Sequence, residues 1–225
     1  MNLPFLCISA AVVLISVAIA PRADAPDWRF EKSQDGVEMY SRAVEGWSIR
    51  EIRGVTTVAG RLAAVAAIVD DISALPELND IVSEARVVER DSETSYRFYC
   101  AMGMPWPVSD RDIVYQRTIA QDAKTLVVTI SDRAIEGTVP ARKGFVRMLK
   151  ADQTWTLTPG TDGEIRVELR VLADPAGPIP SSIVNAMSSS APLKTLQRLR
   201  RAASSLKYAG ASLPYVKESQ SKAVH

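Results

Sequence analysis

The sequence has almost no histidine. Its single copy, His225, is the final residue. That excludes imidazole general bases, His-based triads and most zinc sites. Cysteine is nearly as scarce. Of the two, Cys7 lies in an apolar leader and Cys100 stands alone in the mature chain, so no disulfide can form within it. Cys100 sits in an apolar strand pattern and has no imidazole to activate it, so it reads as a small buried hydrophobe. No catalytic residue, metal or cofactor is expected. An excess of one charge is also lacking: 27 Lys and Arg stand against 26 Asp and Glu, a net charge of +1. This excludes a chain-wide basic field, so no nucleic-acid partner is expected. The composition is 47% hydrophobic and 24% charged, which excludes a wholly disordered chain and a polytopic membrane protein. At about 150 residues per domain, 225 residues favour a single domain.

Charge is absent altogether from Met1 to Pro21, and Leu3 to Ala20 is almost wholly apolar. Ala18, Ala20, Ala23 and Ala25 offer cleavage sites of the A-x-A kind. A signal peptide over residues 1–25 is expected, with the mature chain beginning between Ile19 and Asp27. The alternative is an uncleaved anchor, because the apolar run just reaches the spanning minimum. The protein is therefore expected to be exported, periplasmic or secreted, or else held to the membrane by this segment.

The remainder alternates with strand periodicity. Trp28 to Arg42 predicts a hairpin around Asp35-Gly36, and Ile49 to Val58 a third strand. Arg61 to Asp71 predicts a helix with Leu62, Val65, Ala66 and Val69 on one face. Ser73 to Asp80 is a second short helical piece or turn. Four strands follow, at Glu84 to Arg90, Thr94 to Met102, Asp112 to Ala120 and Lys124 to Ser131. Phe145 to Leu157 and Glu164 to Ala173 form a last hairpin, in which Ile165, Val167, Leu169 and Val171 alternate with charged residues. Ile179 to Leu206 predicts a long helix, with a stripe through Ile183, Met187, Ser190, Leu193, Leu196, Leu199, Ala203 and Leu206. Pro192 should kink it against the Ser188 carbonyl. Consecutive strands with few helices predict an α+β fold, in which an antiparallel sheet buries the stripe of one long helix.

Three passages resemble the START (StAR-related lipid transfer) domain in its bacterial form. The first is Pro105-Trp106-Pro107-Val108-Ser109-Asp110-Arg111-Asp112-Ile113-Val114. The second is Arg142-Lys143-Gly144-Phe145-Val146-Arg147. The third is Asp174-Pro175-Ala176-Gly177-Pro178-Ile179-Pro180, running into Ile183-Val184-Asn185 and Ala191-Pro192-Leu193. The resemblance covers Trp28 to Tyr208. It implies a helix-grip fold over residues 26–208: a curved antiparallel sheet wrapped around a long C-terminal helix, two short helices after the third strand, and an apolar tunnel between sheet and helix. Residues 209–225 are expected to be a flexible basic tail.

Strand alternation offers Tyr96, Phe98, Cys100 and Met102, then Ile113, Tyr115 and Arg117, as cavity lining, with Ile183 and Met187 from the helix. Alternation alone leaves open whether Arg117 or Val114 points inward. The resemblance favours Arg117, because the Arg six residues after the family's Arg-Asp pair lies in the cavity of sterol-binding members. Their acidic partner, on the preceding strand, would fall near Tyr96 here. Unpaired by any acid, Arg117 is expected to anchor the polar end of a ligand. Of Arg111 and Asp112, neighbours on a strand, at most one can line the cavity. The other would tie down the loop from Gly103 to Asp110, whose Met104 and Trp106 form a candidate gate.

From Lys194 to His225 there are seven basic residues and one acid, Glu218. That end could make transient contact with an anionic membrane surface, or simply be a cation-rich helix terminus with a solvated tail. The expected function is non-catalytic carriage of a lipid or other hydrophobic small molecule by a monomer. The alternative is a cyclase- or aromatase-like enzyme acting on a polyketide-like substrate in the same cavity. A sensor or interaction module is a third reading.

Overall fold

The computed structural model describes residues 28–161, 163–179 and 181–218, without the side chains at positions 181, 182, 185–187 and 189. The expected signal peptide and the last seven residues lie outside the described residues. Three strands come first: β1 (Arg29–Gln34), β2 (Val37–Ala43) and β3 (Arg50–Ala59). Helix α1 (Leu62–Asp70), a 3₁₀ turn (Ile72–Ala74) and the one-turn α2 (Leu75–Leu78) follow. Then come β4 (Val82–Arg90), β5 (Ser95–Met102), β6 (Asp110–Gln121), β7 (Val128–Ala134), β8 (Phe145–Arg147), β9 (Ala151–Pro159) and β10 (Glu164–Ala173). The chain closes with α3 (Ser181–Ala203) and the short α4 (Leu206–Ala209).

All the strands join one sheet in the order β1-β2-β3-β10-β9-β7-β6-β5-β4, antiparallel throughout except that β8 lies parallel to β6. The sheet curves around α3, which is the α+β helix-grip arrangement expected from the sequence. Two boundaries differ from expectation for local reasons. The stretch Phe145 to Leu157 is two strands, because the chain leaves β6 at Met148, whose N–H donates to the Asp112 carbonyl, and resumes beside β10. The strand expected from Lys124 begins only at Val128. The Asp122 carboxylate accepts from the N–H groups of Lys124 and Thr125 at 3.0 and 2.7 Å, which folds that segment into a turn.

The long helix stops at Ala203, so Leu206 falls off the stripe and is 92% exposed, while Leu193, Leu196 and Leu199 are buried. Helix α3 seats chiefly on β3. A Cβ added at Gly54 would lie 2.3 Å from Leu196 Cδ1 and 3.2 Å from Met39 Sδ, so only glycine lets the helix approach this closely.

Residues 210–218, expected as part of a tail, are instead docked along α1. Glu218 accepts from the N–H groups of Leu62 at 3.1 Å and Ala63 at 2.9 Å, capping a helix whose own N-cap residue, Arg61, offers no side-chain bond. Tyr215 donates to Asp70 at 2.7 Å and Tyr208 to Asp71 at 2.8 Å. Val216 is buried, and Gln121 bonds the backbone of Lys217 in both directions. The tail reading failed because Gly210 to Leu213 has no periodicity. The segment is held by scattered tyrosines and one carboxylate rather than by a stripe.

Two substitutions test this packing. Gly54→Ala should cost about 1–3 kcal/mol through overpacking, read as a lowered midpoint in urea. Leu196→Ala should then cost less in the Gly54→Ala background than alone, because the clashing atoms are gone. Glu218→Ala should cost about 0.5–2 kcal/mol as the loss of a helix cap, with faster hydrogen exchange at the Leu62 and Ala63 amides.

Candidate functional site: a cavity beside the C-terminal helix

The concave face carries every second residue of each strand, and it is divided into two halves. One half is solid. Tyr96, Phe98, Cys100 and Ile113 are buried in a continuous core with α1, which is apolar on nearly every side. Burial pushes the Cys100 thiol up to about 12, so it is a packing group. At the centre of this half lies Arg117, fully buried. Its inward orientation is the one the resemblance favoured, but its role differs. Asp132 on β7 accepts from Arg117 Nε and Nη2 at 2.7 and 2.8 Å, and the Val69 carbonyl accepts from Nη1 at 2.8 Å. Asp70 lies 3.6 Å away and also accepts from Tyr96. Gln153 donates to Asp132 at 3.2 Å. Burial alone would lower the guanidinium's pKa, but the Asp132 charge and hydrogen bonds outweigh it and raise it. Arg117 is therefore a structural ion pair, with four of its five N–H donors engaged, and it does not line the cavity described below. Its acid comes from the following strand and not from the Tyr96 position.

The other half is hollow. A cavity of about 180 Å³ lies where β5 and β10 end and β3 and β6 begin, with α3 as its roof. The roof residues Val184, Ser188, Ala191 and Thr195 recur at helical spacing, and three of them are small. That spacing and size leave the space open. Trp155, Leu169 and Tyr115 line it, together with Met102, Met104 and Met148. Of the residues expected to line a cavity, Met102 and Tyr115 border this one. Tyr96, Phe98, Cys100, Ile113, Arg117 and Ile183 do not. Met187 is on α3, but its side chain is outside the described residues. The gate pair separates: Met104 faces the cavity, whereas Trp106 is 92% exposed.

Arg111 and Asp112 take opposite faces, as strand geometry requires. Asp112 points to the outer side, where Arg147 donates to it at 2.8 and 3.0 Å and Tyr99 at 3.2 Å. Arg111 borders the cavity and also ties the neighbouring loops. It donates to the carbonyls of Pro175 at 2.9 Å, Ala176 at 2.8 Å and Ser109. Ala176 and Gly177 hold positive φ of 56° and 69°, which turns the two loop carbonyls toward it. Burial lowers the Arg111 pKa, with Asp110 opposing. The indole N–H of Trp155 is buried without an acceptor. Burial pushes the Tyr115 phenol well above its ordinary value, so it stays protonated. Trp155, Met148 and the roof residues were missed from the sequence, although the alternation of β10 already pointed Leu169 and Val171 inward.

Among the described residues no group of His, Cys, Asp or Glu converges as a metal site. A larger groove of about 500 Å³ between the Asp35 turn and α3 is open and polar, and Arg200 within it is already bonded to Thr56 and to the Thr57 carbonyl. The basic helix end is also largely engaged: Lys194 and Arg198 pair with Asp80, and Lys207 lies 3.4 Å from Asp71.

Comparison with known proteins adds the following. A family model described as START domain matches residues 19–208. An uncharacterised protein of Pseudomonas aeruginosa is 32% identical over 185 residues, covering 82% of this chain and 91% of its own. The crystal structure of a STAR-related lipid transfer protein from Xanthomonas axonopodis has 33% identity and a TM-score of 0.70, covering 77% of this chain and 97% of its own. Human StAR-related lipid transfer protein 5 shares the fold at 17% identity, with a TM-score of 0.73 over 80% of this chain and 88% of its own.

Removing one member of the buried pair should be far worse than removing both. Arg117→Leu leaves Asp132 buried with Gln153 alone and should cost about 3–5 kcal/mol. Adding Asp132→Leu should recover much of that loss, with urea denaturation as the measurement.

Proposed function

The chain belongs to the START domain family, and on that premise we propose that it binds a lipid or other hydrophobic small molecule in the cavity beside α3 and carries it chemically unchanged. The observation that carries this reading is the make-up of the wall. Among its described residues there is no carboxylate, imidazole, thiol or amine. The Thr195 hydroxyl is spent on the Ala191 carbonyl at 2.9 Å. Two further hydroxyls line the wall, those of Tyr115 and Ser188. Burial keeps the Tyr115 phenol protonated, and no described carboxylate, imidazole or amine of the wall stands by to activate either hydroxyl for acid–base or nucleophilic chemistry. The 33% identity to a Xanthomonas axonopodis protein described as a lipid transfer protein supports the same reading.

The cavity is smaller than the roughly 300–1,000 Å³ usual for ligand sites. Three methionines in its wall supply the adjustment, since their unbranched side chains rearrange at low cost. Export belongs to the proposal as well, motivated by the uncharged apolar leader over residues 1–25.

Native mass spectrometry of the purified protein should show a discrete apolar ligand, released intact by organic solvent. Turnover of a polyketide-like substrate by the purified protein would replace the carrier reading with the cyclase one. Intact mass from a periplasmic extract should place the mature N-terminus between Ile19 and Asp27, and a full-length cytosolic form would overturn export.

A further inference from the structure

The arginines of this protein are mostly matched with acids. Arg117 is matched to Asp132, Arg147 to Asp112, Arg42 to Glu51 and Arg198 to Asp80. The two that border the cavity are not. Neither Arg111 nor Arg50 has a carboxylate within ion-pair distance among the described residues, and no acidic side chain lines the wall they share. Arg111 is 2% exposed, so its charge is withdrawn from bulk water. Three carbonyls occupy three of its five N–H donors, leaving one donor on each terminal nitrogen. Carbonyl dipoles orient a guanidinium but do not neutralise it. A buried charge without a counter-charge is costly and calls for one from another source.

The register fixes where this charge sits. Trp155 is level with Ile130, which is level with Ile119, and Arg111 lies eight residues back along β6. Trp155 and Leu169 are buried at the inner end, whereas Arg50, Met104 and Asn79 at the outer end are exposed or half-exposed. Arg111 thus stands at the rim of an apolar chamber.

We propose that the ligand is an anionic single-chain amphiphile, held head-outward, with its carboxylate or phosphate oxygens bound by Arg111 at the rim and its chain toward Trp155. Arg50 adds a second positive charge on the same rim. This rests on the carrier reading above and narrows it to one ligand class. A planar guanidinium with two free donors matches an oxyanion's paired acceptors, and an alcohol or ester cannot supply the missing charge.

Isothermal titration with dodecanoate, dodecyl phosphate, dodecanol and methyl dodecanoate tests it. Wild type should bind at least one anion about tenfold or more tightly than both neutral compounds, as expected of a charge-assisted hydrogen bond. Which anion is preferred identifies the head group. Arg111→Gln, checked for its fold by circular dichroism, should bring anion and alcohol to within about twofold. Equal binding of anions and neutrals by wild type would overturn the proposal while leaving the carrier reading intact, and it needs no variant to fold. A preference for anions that survives in folded Arg111→Gln would also overturn the assignment to Arg111. Binding of none of the four by wild type would overturn both readings.

Discussion

One buried ion pair decides how the interior of this sheet is used. Arg117 and Asp132 occupy the concave face at the point where α1 crosses it, and together with Asp70, Tyr96 and Gln153 they close a polar network that engages four of the arginine's five N–H donors. A network of this kind is rigid because each member is costly to leave unpaired. It holds α1 against the sheet through the Val69 carbonyl. That fixes the boundary between the packed half of the interior and the half that remains open. The cavity's floor is therefore set by electrostatics, and its roof by the small residues of α3.

Much of the fold was legible in the sequence, because two simple periods govern it. The alternation of Ile165, Val167, Leu169 and Val171 and the stripe through Leu193, Leu196 and Leu199 each point to a single partner surface. The family resemblance supplied the helix-grip arrangement that joins them. The candidate site was less legible. Alternation assigns a face but not a position along it. Ile113 and Tyr115 share a face, yet one is packed against the core and the other borders the cavity. Arg117 was read as unpaired because its acid was sought on the preceding strand. Asp132 lies fifteen residues later, on a strand whose start was displaced by the Asp122 turn. For Arg111 the sequence left two roles open, lining the cavity or tying down the loop. It is structural, since three carbonyls hold it, and it is also the charged group at the rim.

The contrast between the two interior arginines is the useful lesson. Both are nearly inaccessible and both belong to the same face of β6, six residues apart. One has a bidentate carboxylate, and the other has only backbone dipoles. Burial alone would have assigned them the same role. The difference lies in where the compensating charge comes from, which is a property of neighbouring strands and loops rather than of the arginine's own sequence context.

The cap on α1 bears on the order in which the molecule is completed. The first long helix after the opening hairpin and third strand owes its terminal hydrogen bonds to Glu218, 156 residues further along the chain. Contacts closed over so long a loop are among the last to form. While the chain is still emerging from a ribosome, that helix has an open N-terminus and Asp70 lacks the Tyr215 hydroxyl. The half-made molecule is therefore held short of its final packing until its far end arrives.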